Sequence, residues 1–62
     1  MTEEMTWIYN NQDKLNRIEL MMLGKYDFFQ RFENKDWSLS NYSAIRLLAL
    51  VQIIYKNFMS NN

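Results

Sequence analysis

The 62-residue sequence contains no cysteine, no histidine and no proline, and it has a single glycine. Without cysteine and histidine the chain has no disulfide, no thiolate nucleophile, no usual zinc ligand and no side chain that ordinarily titrates near neutral pH. The scarcity of proline and glycine removes the turn signals on which all-β and α/β folds depend. The sequence therefore predicts an all-α fold, and an enzyme is the least favoured functional class.

Charge of one sign and long apolar runs are also scarce. Seven basic and seven acidic side chains give a formal net charge of zero, whereas proteins that neutralise several phosphates carry an evident basic excess or face. The first residues are acidic where a secretory signal is basic, so we expect a cytoplasmic protein. The longest apolar region, 44–55, is interrupted by Arg46 and Gln52. Because a spanning helix needs about 20 apolar residues, we expect no membrane span.

Helical periodicity runs along nearly the whole chain, whose length suits one domain over residues 1–62. Residues 2–9 form either a separate short helix or an extension of the next one. Asn10, with Asp13 three residues later, is a variant of the capping box and predicts a helix start. Apolar residues then recur at spacings of three and four, which predicts a long helix over about 11–33. We expect this helix to continue through Gly24, although a glycine there also suits a helix end.

The polar segment 34–38 has the composition and length of an interhelical joint, and Ser38 or Ser40 would cap a C-terminal helix over about 39–59. Between 44 and 55 almost the whole circumference of that helix is apolar, which is more than one helix of the same chain can cover. We therefore expect a helical hairpin or three-helix unit that dimerises into a helical bundle. The alternatives are a three-helix monomer with this helix at its centre, and a different protein that covers the second face.

Two apolar faces of the C-terminal helix have separate predicted roles, although the two assignments could be exchanged. The core face comprises Leu47, Leu50 and Ile54. The face for self-association or partner binding comprises Ile45, Leu48, Gln52, Tyr55 and Met59. Gln52 is the polar residue of that face, and its amide can pair with its own symmetry mate.

Aromatic residues gather near the end of the predicted long helix. Phe28 and Phe29 are adjacent, so on a helix they point about 100° apart and cannot both serve one narrow interface. We assign Phe29 and Phe32 to the core, and Phe28 to an exposed contact. Trp37 is expected to close the end of the bundle.

These patterns favour a small non-enzymatic regulatory or adaptor protein that binds a protein partner as a homodimer. The alternative is a dimeric transcriptional regulator that binds nucleic acid through Lys14, Arg17 and Lys25, which would lie near one face of the long helix. No pair of acids has a spacing that demands a shared pocket, and no Gly-rich phosphate loop is present. We expect no catalytic residue, cofactor or metal.

Overall fold

The computed structural model describes residues 2–60, and over this range the chain forms four α-helices and no strand. The helices are α1 (Glu3–Asn10), α2 (Arg17–Gly24), α3 (Phe28–Asn34) and α4 (Asn41–Ser60), with a 3₁₀ turn at Gln12–Lys14. The prediction of an all-α fold is confirmed. None of the helices in the described part of the chain combines the length and apolar character needed to cross a membrane.

Side-chain caps determine where the first two α-helices begin. The Thr2 hydroxyl accepts a hydrogen bond from the Met5 amide at 3.1 Å and starts α1. At α2, the Asn16 side chain accepts from the Glu19 amide at 2.8 Å, and the Glu19 carboxylate accepts from the Asn16 amide at 2.9 Å. This reciprocal pair is a complete capping box. The start predicted at Asn10 is wrong, because that residue instead ends α1.

The predicted long helix over 11–33 is wrong, because the backbone leaves helical geometry twice. Leu15 is extended, with φ −79° and ψ 145°, and its buried side chain fixes the first break. Asp27 is left-handed, with φ 55°, and a helical hydrogen-bond ladder cannot pass through that conformation. Gly24 is the last residue of α2, so the expected continuity through it is wrong as well.

The core lies where α1 and α2 pack on α4, with α3 against α2. Its buried residues are Met5, Ile8, Leu15, Leu23, Phe28, Leu47, Val51 and Ile54. Leu47 and Ile54 were predicted to face the core, and both are buried; Leu50 is half-buried and packs against them. Val51 is buried beside them and was not predicted.

Phe28 is part of this core and is 0% exposed, so the prediction of an exposed contact is wrong. The left-handed residue before it, Asp27, turns the chain between α2 and α3. The helical spacing of α2 therefore does not predict which side of α3 is buried. The Phe28 ring meets Phe29 edge-on at 5.1 Å and lies 6.0 Å from the Trp37 ring. Phe29 and Phe32 are half-buried and pack around it.

The joint between α3 and α4 is stabilised by local hydrogen bonds. Lys35 is left-handed, with φ 54°, and the next amide, Asp36, donates to the Arg31 carbonyl at 3.0 Å. Together with the bond from the Lys35 amide to the Phe32 carbonyl, this is a Schellman ending. Ser40 then accepts from the Ser43 amide at 3.1 Å and caps α4, as one of the two predicted caps.

Candidate functional site

Four of the five residues predicted for self-association form an exposed stripe on α4, which we call the outer face: Ile45, Leu48, Gln52 and Met59. Ile45 is 66% exposed, Leu48 38% and Met59 40%. Their spacings of three, four and seven place them on one side of the helix. The fifth residue, Tyr55, is half-buried instead, and its ring meets Trp7 edge-on at 5.5 Å. Tyr55 therefore holds α1 against α4 and does not extend the stripe.

An apolar hollow of about 250 Å³ lies beside the outer face, and we call it the Trp37 hollow. It is lined by Thr2, Met5, Trp37, Leu39, Ala44, Leu47 and Leu48. The indole nitrogen Nε1 of Trp37 is buried and has no hydrogen-bond partner among the described residues. A buried unpaired donor costs about 1–3 kcal/mol. The hollow thus suits an apolar side chain.

A second concavity, the α2–α4 groove, has a volume of about 350 Å³. Its lining comprises Met22, Lys25, Tyr26, Arg46, Ala49, Leu50 and Ile53. Lys25, just after the end of α2, lines the groove together with Arg46 near the start of α4. At the other end of α2, Asn16 lies with Asn57 near the end of α4, so the two helices run antiparallel. The groove is therefore the open seam between two antiparallel helices.

The charged residues that line this groove are both cations, and no carboxylate of the described residues lines it. The Arg46 guanidinium donates from Nη1 to the Tyr42 hydroxyl at 3.3 Å, and it lies 5.4 Å from the centre of that ring. Interaction with the Tyr26 hydroxyl, and then with Tyr42, raises the pKa of Arg46 further above its ordinary value. Arg46 thus contacts the Tyr42 phenol through both a hydrogen bond and its ring, and it remains charged at any physiological pH.

The outer face and the α2–α4 groove lie on different sides of α4. Leu48 and Ile53 are five residues apart, which on a helix separates their directions by about 140°. Both side chains are exposed, and Ile53 is 58% exposed. Arg46, Ala49 and Ile53 were not predicted as a surface from the sequence, because the groove exists only through the pairing of α4 with α2. Their spacing of three and four was the available signal.

The residues predicted for nucleic-acid binding are exposed but do not share one depression. Lys14 lines a small depression with Asn57 near the end of α4. Lys25 lines the α2–α4 groove near the start of α4, and Arg17 lies at the first residue of α2. The eight residues of α2 separate Lys14 from Lys25, a rise of about 12 Å. These cations are spread along the molecule.

Comparisons with protein-family models, with curated proteins and with solved structures gave no match to this chain.

Proposed function

We propose that this chain is a small cytoplasmic regulatory or adaptor protein, without enzymatic activity, that acts by binding another protein. We further propose that it self-associates as a homodimer through the outer face of α4. The observation that carries this proposal is the exposed apolar stripe of Ile45, Leu48 and Met59. In a helix of 20 residues, such a stripe is typical of a surface that packs against another helix.

The outer face suits a second copy of the same chain for reasons of symmetry. A twofold interface brings the same patch of each protomer together, so each residue of the stripe meets an equivalent stripe. Gln52 lies within the stripe, and its amide both donates and accepts hydrogen bonds, so it can pair with its symmetry mate. The formal net charge of zero also means that two copies do not repel each other strongly.

The Trp37 hollow provides a pocket within this proposed interface. Leu48 belongs both to the outer face and to the lining of the hollow, so an apolar side chain of the second protomer could enter beside it. Interfaces derive most of their affinity from a few side chains that fill such pockets. We therefore place the centre of the proposed dimer interface at Leu48.

Sedimentation equilibrium over a concentration series tests the proposal. We expect the wild type to reach twice its monomer mass of 7.6 kDa, and Leu48→Glu to remain monomeric because a buried carboxylate without a partner is strongly disfavoured. Ile45→Glu, at a more exposed position, is the second variant, and it should also be monomeric with unchanged helicity. Ile53→Glu is the matched control on the other side of α4, and it should still dimerise.

Two results would overturn the proposed homodimer. A wild type that stays monomeric at every concentration removes self-association, and dissociation by Ile53→Glu but not by Ile45→Glu moves the interface to the α2–α4 groove. The alternative of a nucleic-acid-binding regulator has no comparable support, because Lys14 and Lys25 lie in different depressions. Retention on a DNA duplex that falls steeply with added salt would restore that alternative.

A further inference from the structure

We propose that the α2–α4 groove is the docking site for an acidic amphipathic helix of a partner protein. This inference rests on the proposed adaptor function and names the chemistry of the partner. It concerns the side of α4 that faces α2 and carries Ile53, whereas the outer face is centred on Leu48.

The floor and walls of the groove are apolar and partly uncovered. Leu50 is half-buried at its base, while Met22 and Ile53 stand exposed on opposite walls, one on α2 and one on α4. Ala49 also lines the groove, four residues before Ile53 on α4, and is exposed. A small residue at this position allows the backbone of a third helix to approach, and the flexible thioether of Met22 can adapt to its side chains.

The charge of the groove determines the sign of its partner. Lys25 and Arg46 both lie in the half of the groove near the start of α4, and the described residues place no carboxylate in its lining. The Tyr26 hydroxyl also lines the groove and can donate a hydrogen bond to an anion. A partner that carries Glu or Asp beside its apolar stripe thus gains charge-assisted hydrogen bonds at this end of the groove.

The shape of the groove favours a helix over a small amphiphile. Sites for small molecules have about 300–1,000 Å³ and bury most of their ligand. This groove is near the lower limit, and its wall residues remain exposed. It runs along α4 from Arg46 to Ile53, a rise of about 10 Å, which matches two turns of a helix. A helix laid along the seam would cover both walls at once.

A displayed library of helical peptides of about 16 residues, selected on the immobilised full chain, tests the proposal. We expect enriched peptides to carry apolar residues at i, i+3 or i+4, and i+7, with acidic residues beside them. Fluorescence anisotropy of an enriched peptide should show at least a tenfold loss of affinity with Ile53→Glu and with Lys25→Glu. The matched controls are Leu48→Glu, on the outer face, and Lys14→Glu, an exposed cation outside the groove; both should bind the peptide as the wild type does.

The same measurements overturn the proposal if library selection yields no enrichment, if the enriched peptides have no acidic bias, or if Ile53→Glu binds them unchanged. Binding to vesicles of phosphatidylglycerol tests the competing assignment of the groove to a lipid surface. Vesicle binding that is lost in Ile53→Glu, with no enriched peptide, assigns the groove to a lipid surface and refutes a helical partner. Peptide binding by a monomeric Leu48→Glu variant would show that the groove binds its partner without the dimer. Loss of peptide binding in Ile53→Glu, with its dimer mass unchanged, would show that the dimer forms without the groove.

Discussion

Replacing each of the adjacent residues Phe28 and Phe29 by leucine tests the break between α2 and α3. If 11–33 were one helix, the apolar stripe would place Phe29 in the core and leave Phe28 outside. In the structure Phe28 is 0% exposed and Phe29 is only half-buried. We therefore expect Phe28→Leu to destabilise the protein more than Phe29→Leu does.

The expected difference follows from burial and from the size of the chain. Proteins have a free energy of unfolding of roughly 0.05–0.15 kcal/mol per residue, which gives about 3–9 kcal/mol here. Truncating a buried phenylalanine to alanine costs about 3–5 kcal/mol, so leucine, which keeps part of the packing, is the measurable choice. We expect about 1–2 kcal/mol for Phe28→Leu and below about 1 kcal/mol for Phe29→Leu. Because 1 kcal/mol shifts the Tm of a small domain by about 4–8 °C, Phe28→Leu should lower the Tm by about 5–15 °C.

Thermal and urea unfolding, followed by far-ultraviolet circular dichroism at one protein concentration, measures both variants. A single concentration is needed because self-association would add to the apparent stability. Met21→Leu is the control, since Met21 is exposed and its replacement should change stability by less than about 0.5 kcal/mol. A loss for Phe29→Leu equal to or greater than that for Phe28→Leu would refute the left-handed break at Asp27 and restore a continuous helix.

The remaining predictions concern single positions. Gly24→Ala should stabilise the protein by about 0.5–1 kcal/mol in urea unfolding, because Gly24 ends a helix with negative φ and an added Cβ meets nothing within 4 Å; a loss of stability would contradict this geometry. The Tyr9 hydroxyl donates to the Glu33 carboxylate at 2.7 Å, and this bond raises the pKa of Tyr9. This hydrogen bond contributes fully to the stability of the folded state below the ordinary tyrosine pKa of about 10, and its contribution is lost as the pH rises through the folded-state pKa. The Tm advantage of wild type over Tyr9→Phe should therefore shrink above about pH 10. A Tm advantage that does not change with pH would refute this assignment. The Asp36 carboxylate accepts hydrogen bonds from the hydroxyl and the amide of Ser38 at 2.6 and 3.1 Å, which lower the pKa of Asp36. The contribution of these two hydrogen bonds to stability is present above the ordinary aspartate pKa of about 3.9 and is lost as the pH falls through the folded-state pKa. The Tm values of wild type and Asp36→Asn should therefore converge in acid. A difference in Tm that widens in acid would contradict this assignment.

The all-α fold class and the position of the last helix were predictable from the sequence. The apolar period and the lack of proline reveal helix without any tertiary information. The C-terminal helix was placed over about 39–59 and lies at Asn41–Ser60, because Ser40 is a local cap whose effect does not depend on the rest of the fold. Its core face was also recognisable, since Leu47 and Ile54 follow the helical spacing and are buried.

The two breaks in the middle of the chain were harder to predict, for two different reasons. Asn16 and Glu19 form a better capping box than Asn10 and Asp13, so the first break had a local signal that the apolar stripe obscured. Gly24 was a local signal for the second break, but it was outweighed because the three residues between α2 and α3 nearly equal one helical period. The apolar spacing therefore continues across the left-handed Asp27 as if the helix were unbroken.

The break at Asp27 also decides which surfaces of the molecule remain available. It sends α3 against α2, and the 20 residues of α4 pack mainly against the short helices α1 and α2. The apolar excess of α4 is consequently divided between two sides with different neighbours. One side adjoins the apolar Trp37 hollow, and the other is bordered by Lys25 and Arg46. Ile53, in the wall of the groove, points about 140° away from Leu48. We therefore expect a twofold interface centred on Leu48 to leave the Ile53 wall of the cationic groove uncovered, and we assign the two sides to different partners.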